Sequence, residues 1–131
     1  MSKLVLFLLL IVAVIVMVPA ARDRVRPKVQ PALDPVYAWS TRNRISALVE
    51  LVREQEMLGQ PIPKPAEFSQ FVENRDVTRD GSVDAWGTPF YLHVTRRGLY
   101  TVGSAGKDRV VGTGDDITAT GQSRNPPTGR R

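Results

Sequence analysis

Three carboxylates set among glycines towards the C-terminal end of the chain are the residues best placed to do chemistry. Asp108, Asp115 and Asp116 lie within Gly103-Ser104-Ala105-Gly106-Lys107-Asp108 and Gly112-Thr113-Gly114-Asp115-Asp116-Ile117. The segment has little apolar content and cannot pack itself, whereas its glycines let the backbone curve round a hard cation. Brought together without an ion, three carboxylates repel one another. The competing reading of Asp115 and Asp116 is a solvated turn, with Asp115 capping the local backbone.

A second acidic stretch, Asp76-Val77-Thr78-Arg79-Asp80-Gly81-Ser82-Val83-Asp84, follows the start of an EF-hand or dockerin calcium loop. Its twelfth position is Gly87, where such loops need a bidentate carboxylate. A polar turn through Asp80 and Gly81 explains the same residues. Catalysis has little to work with. The single histidine, His93, falls in an expected strand, and no phosphate-cradling glycine loop of either standard form occurs. We expect no catalytic residue, no cofactor-binding residue besides metal ligands, and no small-molecule substrate.

Composition narrows the choice further. With 131 residues the chain holds one small globular domain, and with no cysteine it has neither disulfides nor thiolate zinc sites. A net charge of +5 and a pI near 10.1 raise the question of nucleic acid. The basic residues, however, are scattered over 22–28, 42–53 and Arg130-Arg131 with no basic face interleaved with aromatics, so nucleic acid is not an expected partner. The cluster at 22–28 adjoins an apolar run and suits anionic lipid headgroups or topology control.

That run, 4–18, is bounded by Lys3 and by Pro19-Ala20-Ala21-Arg22. At about 1.5 Å rise per residue it reaches roughly 23 to 27 Å, slightly under a bilayer core, which suits an anchor and also the apolar part of an export signal. Val18-Pro19-Ala20 would suit signal peptidase. We favour retention as an anchor. By the positive-inside rule, Arg22, Arg24, Arg26 and Lys28 outweigh Lys3 and favour a cytoplasmic C-terminal side, which leaves topology open.

The expected organisation is a transmembrane anchor or signal segment at 1–21, a basic linker at 22–35, a globular domain at 36–117 and a disordered tail at 118–131. Gln30-Pro31-Ala32-Leu33-Asp34-Pro35 reads as a break, with Asp34 as N-cap and Pro35 in the first turn of a helix over 36–58. Ile45, Leu48, Val49 and Val52 recur at helical spacing and give that helix one apolar face. Gly59, Pro61 and Pro63 stop it. A short helix over 66–74 should bury Phe68, Phe71 and Val72. Alternation over 90–95, then Gly98 and an apolar run over 99–102, predicts a β-hairpin. A two-stranded ribbon is marginal in water, so the long helix must cover it and further pairing should come from the loop region. From Thr118 onward the composition of Thr, Gly, Ser, Asn, Pro and Arg shows no periodicity.

Asp84-Ala85-Trp86-Gly87-Thr88-Pro89-Phe90-Tyr91 resembles the Asp-Pro-Trp-Gly-Asn-Pro-Tyr motif of the major pseudopilin of type II secretion, the G-type subunit. The run from Ser104 through Asp108 to Asp115-Asp116-Ile117 resembles that family's calcium loop. The resemblance spans about 36–117, but only the two motifs are specific. It implies an α+β fold: an N-terminal hydrophobic helix, then an amphipathic helix packed on a small antiparallel β-sheet with a metal-binding loop. It also implies Ca2+ held by Asp108, Asp115 and Asp116, with carbonyls from Ala105 and Val110 and an oxygen from Thr113. Arg109 stands where the family often has glycine. Trp86, Gly87 and Pro89 read as structural, with the indole at the core edge.

The function implied is that of a structural subunit or accessory protein of a type II secretion or pilus-like assembly. Other pseudopilin or secretion-system subunits and the membrane are the expected partners. The expected location is the inner membrane, single-pass, with a periplasmic globular domain. The prepilin leader motif is not found, since no glycine or acidic residue occurs between Met1 and Val18. The alternative function is an exported calcium-binding adhesion or dockerin-like module with a cleaved signal peptide.

Overall fold

The computed structural model describes residues 3–17, 19–75 and 80–124. Its elements run α1 (Lys3–Met17), α2 (Pro19–Met57), a 3-10 turn (Pro65–Glu67), α3 (Phe68–Arg75), β1 (Tyr91–Val94), β2 (Leu99–Ser104) and β3 (Ile117–Gln122). The architecture is therefore α+β, with one three-stranded antiparallel sheet in the order β1-β2-β3. Two compact units divide the chain at Pro35/Val36.

In the first unit, α1 is apolar over all of its 15 residues apart from Lys3. Leu4, Leu6, Phe7, Leu8 and Leu10 are well exposed. Among the described residues no helix is long and apolar enough to cross a membrane.

The helix expected to begin at Val36 starts far earlier. Asp34 and Pro35, read as its cap and first turn, lie inside α2, and the whole of the expected basic linker at 22–35 is helical. Pro27, Pro31 and Pro35 are spaced four residues apart and so share one side of the helix. Their missing amides and ring contacts are confined to that side, and the hydrogen-bond ladder continues on the rest.

The core cluster among the described residues lies in the second unit. Ile45, Leu48 and Val52 of α2 and Phe68 and Val72 of α3 join Leu92, Tyr100 and Val102 of the sheet, and Phe90 just before β1, in one cluster. Each such side chain contributes roughly 1.5–3 kcal/mol when fully buried. The apolar stripe read from helical spacing is thus the face α2 lays on the sheet, with Val49 at its margin. A Schellman motif closes α2: the Gly59 amide donates to the Glu56 carbonyl at 2.9 Å and the Gln60 amide to that of Gln55 at 3.1 Å. Gly59 supplies the positive φ of 74° this cap demands.

Two cross-strand tyrosines replace missing side-chain bulk within the sheet. Tyr91 pairs with Gly103 and Tyr100 with Gly121, and each ring lies over its glycine. A Cβ on either glycine would fall 2.3 Å from the ring.

Residues 118–122, expected to open a disordered tail, instead form most of β3. Ile117 and Ala119 pack against the core, Gly121 receives Tyr100, and Thr118, Thr120 and Gln122 are exposed. The alternation is real but uses small and polar residues. Just beyond the strand, Ser123 is buried and donates to the Glu56 carboxylate, tying β3 to α2.

Candidate functional site

The connection from Ala105 to Asp116 joins β2 to β3, and the turn before β1 sets where it starts. The turn is closed by a bridge between Val83 and Pro89 and by the Phe90 amide donating to the Ser82 carbonyl at 2.9 Å. Within it, Asp84 Oδ1 accepts from the amides of Trp86 at 3.0 Å and Thr88 at 2.8 Å. Gly87, with φ 84°, completes the reversal. On the α2 side, the Ala85 amide donates to Thr41 Oγ1 at 3.4 Å and Arg44 Nε donates to the Gly81 carbonyl at 3.3 Å. Trp86 is buried and meets Tyr37 edge-on, with centroids 6.0 Å apart.

The other oxygen of Asp84 links this turn to the acidic loop. Ser104 Oγ donates to Asp84 Oδ2 at 2.6 Å and accepts from the Gly106 amide at 3.1 Å. Asp84 and Ser104 are both buried. One carboxylate therefore holds the Trp86 turn, the end of β2 and the first bend of the loop together. Sequence spacing had no means of pairing residues 20 apart across two turns.

Inside the loop, Gly106 has φ 68° and presses on the Asp115 carbonyl, where a Cβ would come within 2.2 Å. The Asp108 amide donates to Asp115 Oδ2 at 3.0 Å. Asp108 Oδ1 accepts from the Val110 amide at 2.8 Å. Asp116 Oδ2 accepts from the Gly112 amide at 2.8 Å and from the Tyr91 hydroxyl at 3.0 Å. Thr113 Oγ1 lies 3.1 Å from the Val110 carbonyl, 2.8 Å from Asp115 Oδ1 and 3.4 Å from Asp116 Oδ1. Asp115, Asp116, Thr113 and the Val110 carbonyl are thus brought together around the Thr113 hydroxyl. Asp108 turns its Oδ1 back onto the loop's own amide. Ala105 is fully buried at the end of β2.

The donor chemistry is all oxygen, and it is unbalanced. A hydroxyl has one proton to donate, yet Thr113 Oγ1 faces three acceptors. The Thr113 amide also donates to Asp116 Oδ1 at 3.3 Å, and the lone pairs left over are of the oxygen type that a hard cation accepts. Among the described residues, no group of three histidine, cysteine or acidic side chains is close enough to hold a metal by itself. Any ion here would have to take the Thr113 hydroxyl and backbone carbonyls as ligands as well.

Both paired aspartates are held below the usual carboxylate range. For Asp115 the main cause is the Asp108 amide, followed by the Thr113 hydroxyl; for Asp116 it is the Gly112 amide, with lesser help from Tyr91 and Thr113. Their contribution to stability is therefore present above about pH 4 and lost as acid protonates them in the folded state. Tyr91 shifts the other way. Burial, and then the Asp116 carboxylate, push it from 10.0 to about 12. Its contribution is complete below pH 10.0 and disappears as pH rises towards about 12. Tyr91→Phe should cost about 1 kcal/mol at neutral pH and flatten that alkaline loss. Urea midpoints measured across both pH windows would check it.

Arg109 is the one non-glycine residue with positive φ among those described, at 61°. The left-handed turn that a glycine would adopt freely is formed, and arginine holds it at a cost of roughly 1–2 kcal/mol. Arg109→Gly should therefore raise stability by about 0.5–1 kcal/mol once the extra chain entropy of glycine is deducted. A rise in urea midpoint at unchanged slope would show it.

No family model, no curated protein and no solved structure matches the chain.

The remaining motifs separate cleanly. His93 is exposed on β1 opposite Thr101. Of the dockerin-like stretch, residues 76–79 lie outside the described residues. Asp84, which would be its ninth position, has both oxygens occupied by Trp86, Thr88 and Ser104.

Proposed function

We propose that the chain is a structural subunit or accessory protein of a type II secretion or pilus-like assembly in the inner membrane. The apolar N-terminal helix would be its membrane segment, the globular domain would be periplasmic, and calcium would hold the β2–β3 loop. The observation that carries this reading is the Asp84 carboxylate. It joins the Trp86 turn to the start of the acidic loop, and these are the two motifs on which the pseudopilin resemblance rests. An α-helix laid on a three-stranded antiparallel sheet whose last connection is that loop supports it further.

Calcium suits the donors better than magnesium. Asp115, Asp116, Thr113 and the Val110 carbonyl converge from a bent loop without octahedral order, and calcium accepts irregular sets of six to eight oxygens. Asp108 and the Ala105 carbonyl are the further ligands this reading assigns. The ion would neutralise the facing carboxylates and stiffen one end of the sheet against neighbouring subunits. The engagement of Asp84 favours this site over a dockerin-like one.

Calcium at 100-fold its Kd should stabilise the full chain by about 2.7 kcal/mol. Asp115→Ala should abolish the gain, and Asp108→Ala should weaken it. The assembly role is read separately, by cross-linking in intact cells and purification from the membrane fraction. Recovery with other secretion-apparatus subunits is the expected outcome; a chain recovered alone would sink the assembly reading.

A further inference from the structure

The last turn of α2 is charged against its own helix. Glu54 and Glu56 stand at the end where backbone carbonyls already concentrate negative charge, and no basic residue accompanies them. Glu56 is also only 8% exposed. Its Oε1 accepts from the Ser123 hydroxyl, but its Oε2 is buried with no hydrogen-bond partner among the described residues. Beside it, Gln55 commits its Nε2 to the Pro61 carbonyl at 3.3 Å and leaves a second buried oxygen, Oε1, without a donor. A buried carboxylate oxygen lacking any donor or cation is among the most costly features a fold can carry.

Glu56 lines a cleft of about 450 Å³ whose other walls include Pro61, Ile62, Pro63, Pro65 and Val94. Lys64 borders it too, but its ammonium lies 3.5 Å from Glu67 on a side chain 79% exposed. Glu56 also borders a second cavity, of about 290 Å³, that carries Arg53 and Arg124. Arg53 faces Glu50 at 3.6 Å, and among the described residues no ion pair joins either arginine to Glu56.

We infer that the larger cleft binds an alkylammonium group, with the charge at Glu56 and the carbon stem along Pro61, Ile62, Pro63 and Val94. An ammonium supplies both things the orphan oxygen lacks, a proton to accept and a positive charge to face. Guanidinium fits less well, because its paired donors want both carboxylate oxygens and Ser123 already holds one. A metal ion fits worse, since it needs about six oxygens and these walls are chiefly aliphatic. The volume lies in the range of small-ligand sites, in which apolar walls hold the body and one polar group fixes its orientation. A free amine and a lysine side chain of another protein carry the same chemistry. The inference depends on neither calcium nor assembly.

The full chain in non-ionic detergent is titrated with n-butylammonium, with n-butanol as its neutral counterpart, and followed by the methyl NMR signals of Ile62 and Val94. We expect saturable shifts at both residues with the amine, and binding at least about ten-fold weaker with the alcohol. Sodium at the same concentration should leave the signals in place. Glu56→Gln should reduce the amine to the level of the alcohol while the melting temperature stays level or rises, because a neutral amide replaces a lone buried charge. A residue that merely held the fold would lower it. A blocked glycyl-lysyl-glycine peptide separates the sources: binding by the amine alone assigns the cleft to free amines, and binding by the peptide as well assigns it to a lysine side chain. Equal binding of amine and alcohol, shifts reproduced by sodium, or undiminished amine binding in Glu56→Gln would each overturn the inference. Should that variant fail to fold, the comparison of amine with alcohol on the unaltered chain decides by itself.

Discussion

Replacing Asp84 with alanine is expected to cost about 3–5 kcal/mol, a large share of the 5–15 kcal/mol that holds a small domain folded. Four groups depend on this residue. The amides of Trp86 and Thr88 lose their shared acceptor, and Ser104 Oγ loses a bond of 2.6 Å. Ser104 then no longer has a fixed orientation in which to receive the Gly106 amide. Since Ser104 is fully buried, water offers poor compensation. Asp84→Asn should cost nearer 1 kcal/mol, because an amide oxygen still serves the two backbone donors and only the Ser104 contact must reverse. Urea denaturation of both variants gives the comparison. In a double-mutant cycle, Asp84→Ala and Ser104→Ala should together cost less than their sum, as expected of two members of one network. Strict additivity would show that Asp84 holds only its own turn.

Gly106→Ala should be nearly as severe, at about 2–4 kcal/mol, for a different reason. The new methyl would lie 2.2 Å from the Asp115 carbonyl oxygen and 2.8 Å from its carbon, on a residue whose φ is 68°. Because the obstructing atoms are backbone, no side-chain rotation relieves the clash. The loop must open, separating Asp108 from Asp115 and scattering the oxygens around Thr113. The variant should consequently lose its calcium-dependent stabilisation, whereas Gly114→Ala, with open space around the added methyl, should retain it. Melting curves with calcium and with chelator would decide; a Gly106→Ala protein with an intact calcium response would remove the close approach from any role in the site.

How far the fold could be read from residues differed by element. Ile45, Leu48 and Val52 at helical spacing identified the face of α2 that is buried, because one stripe of large aliphatics admits one orientation towards a core. Phe90 and Leu92 did the same for the strand entry, and Phe68 and Val72 for α3. The start of α2 was misplaced because proline is a statistical breaker, while prolines spaced four residues apart on one side of a helix remove only part of its ladder. β3 was missed because its inward positions are Ile117, Ala119 and Gly121. The bulk that would normally announce such a strand is supplied from β2 by Tyr100.

The candidate site divides along the same line. Glycines next to aspartates are a local signal, since left-handed turns and carboxylate acceptors are properties of single residues, and the position of the loop was legible on that basis. Chain order alone determined that an apolar N-terminal run, an amphipathic helix, a hairpin and an acidic loop would follow one another. Only the folded chain decided that Asp84 clamps Ser104, that the Tyr91 hydroxyl reaches Asp116, and that Glu56 receives Ser123 from 67 residues away. Such pairings depend on which strand lies beside which, and that is settled by burying a common core whose members are far apart in sequence.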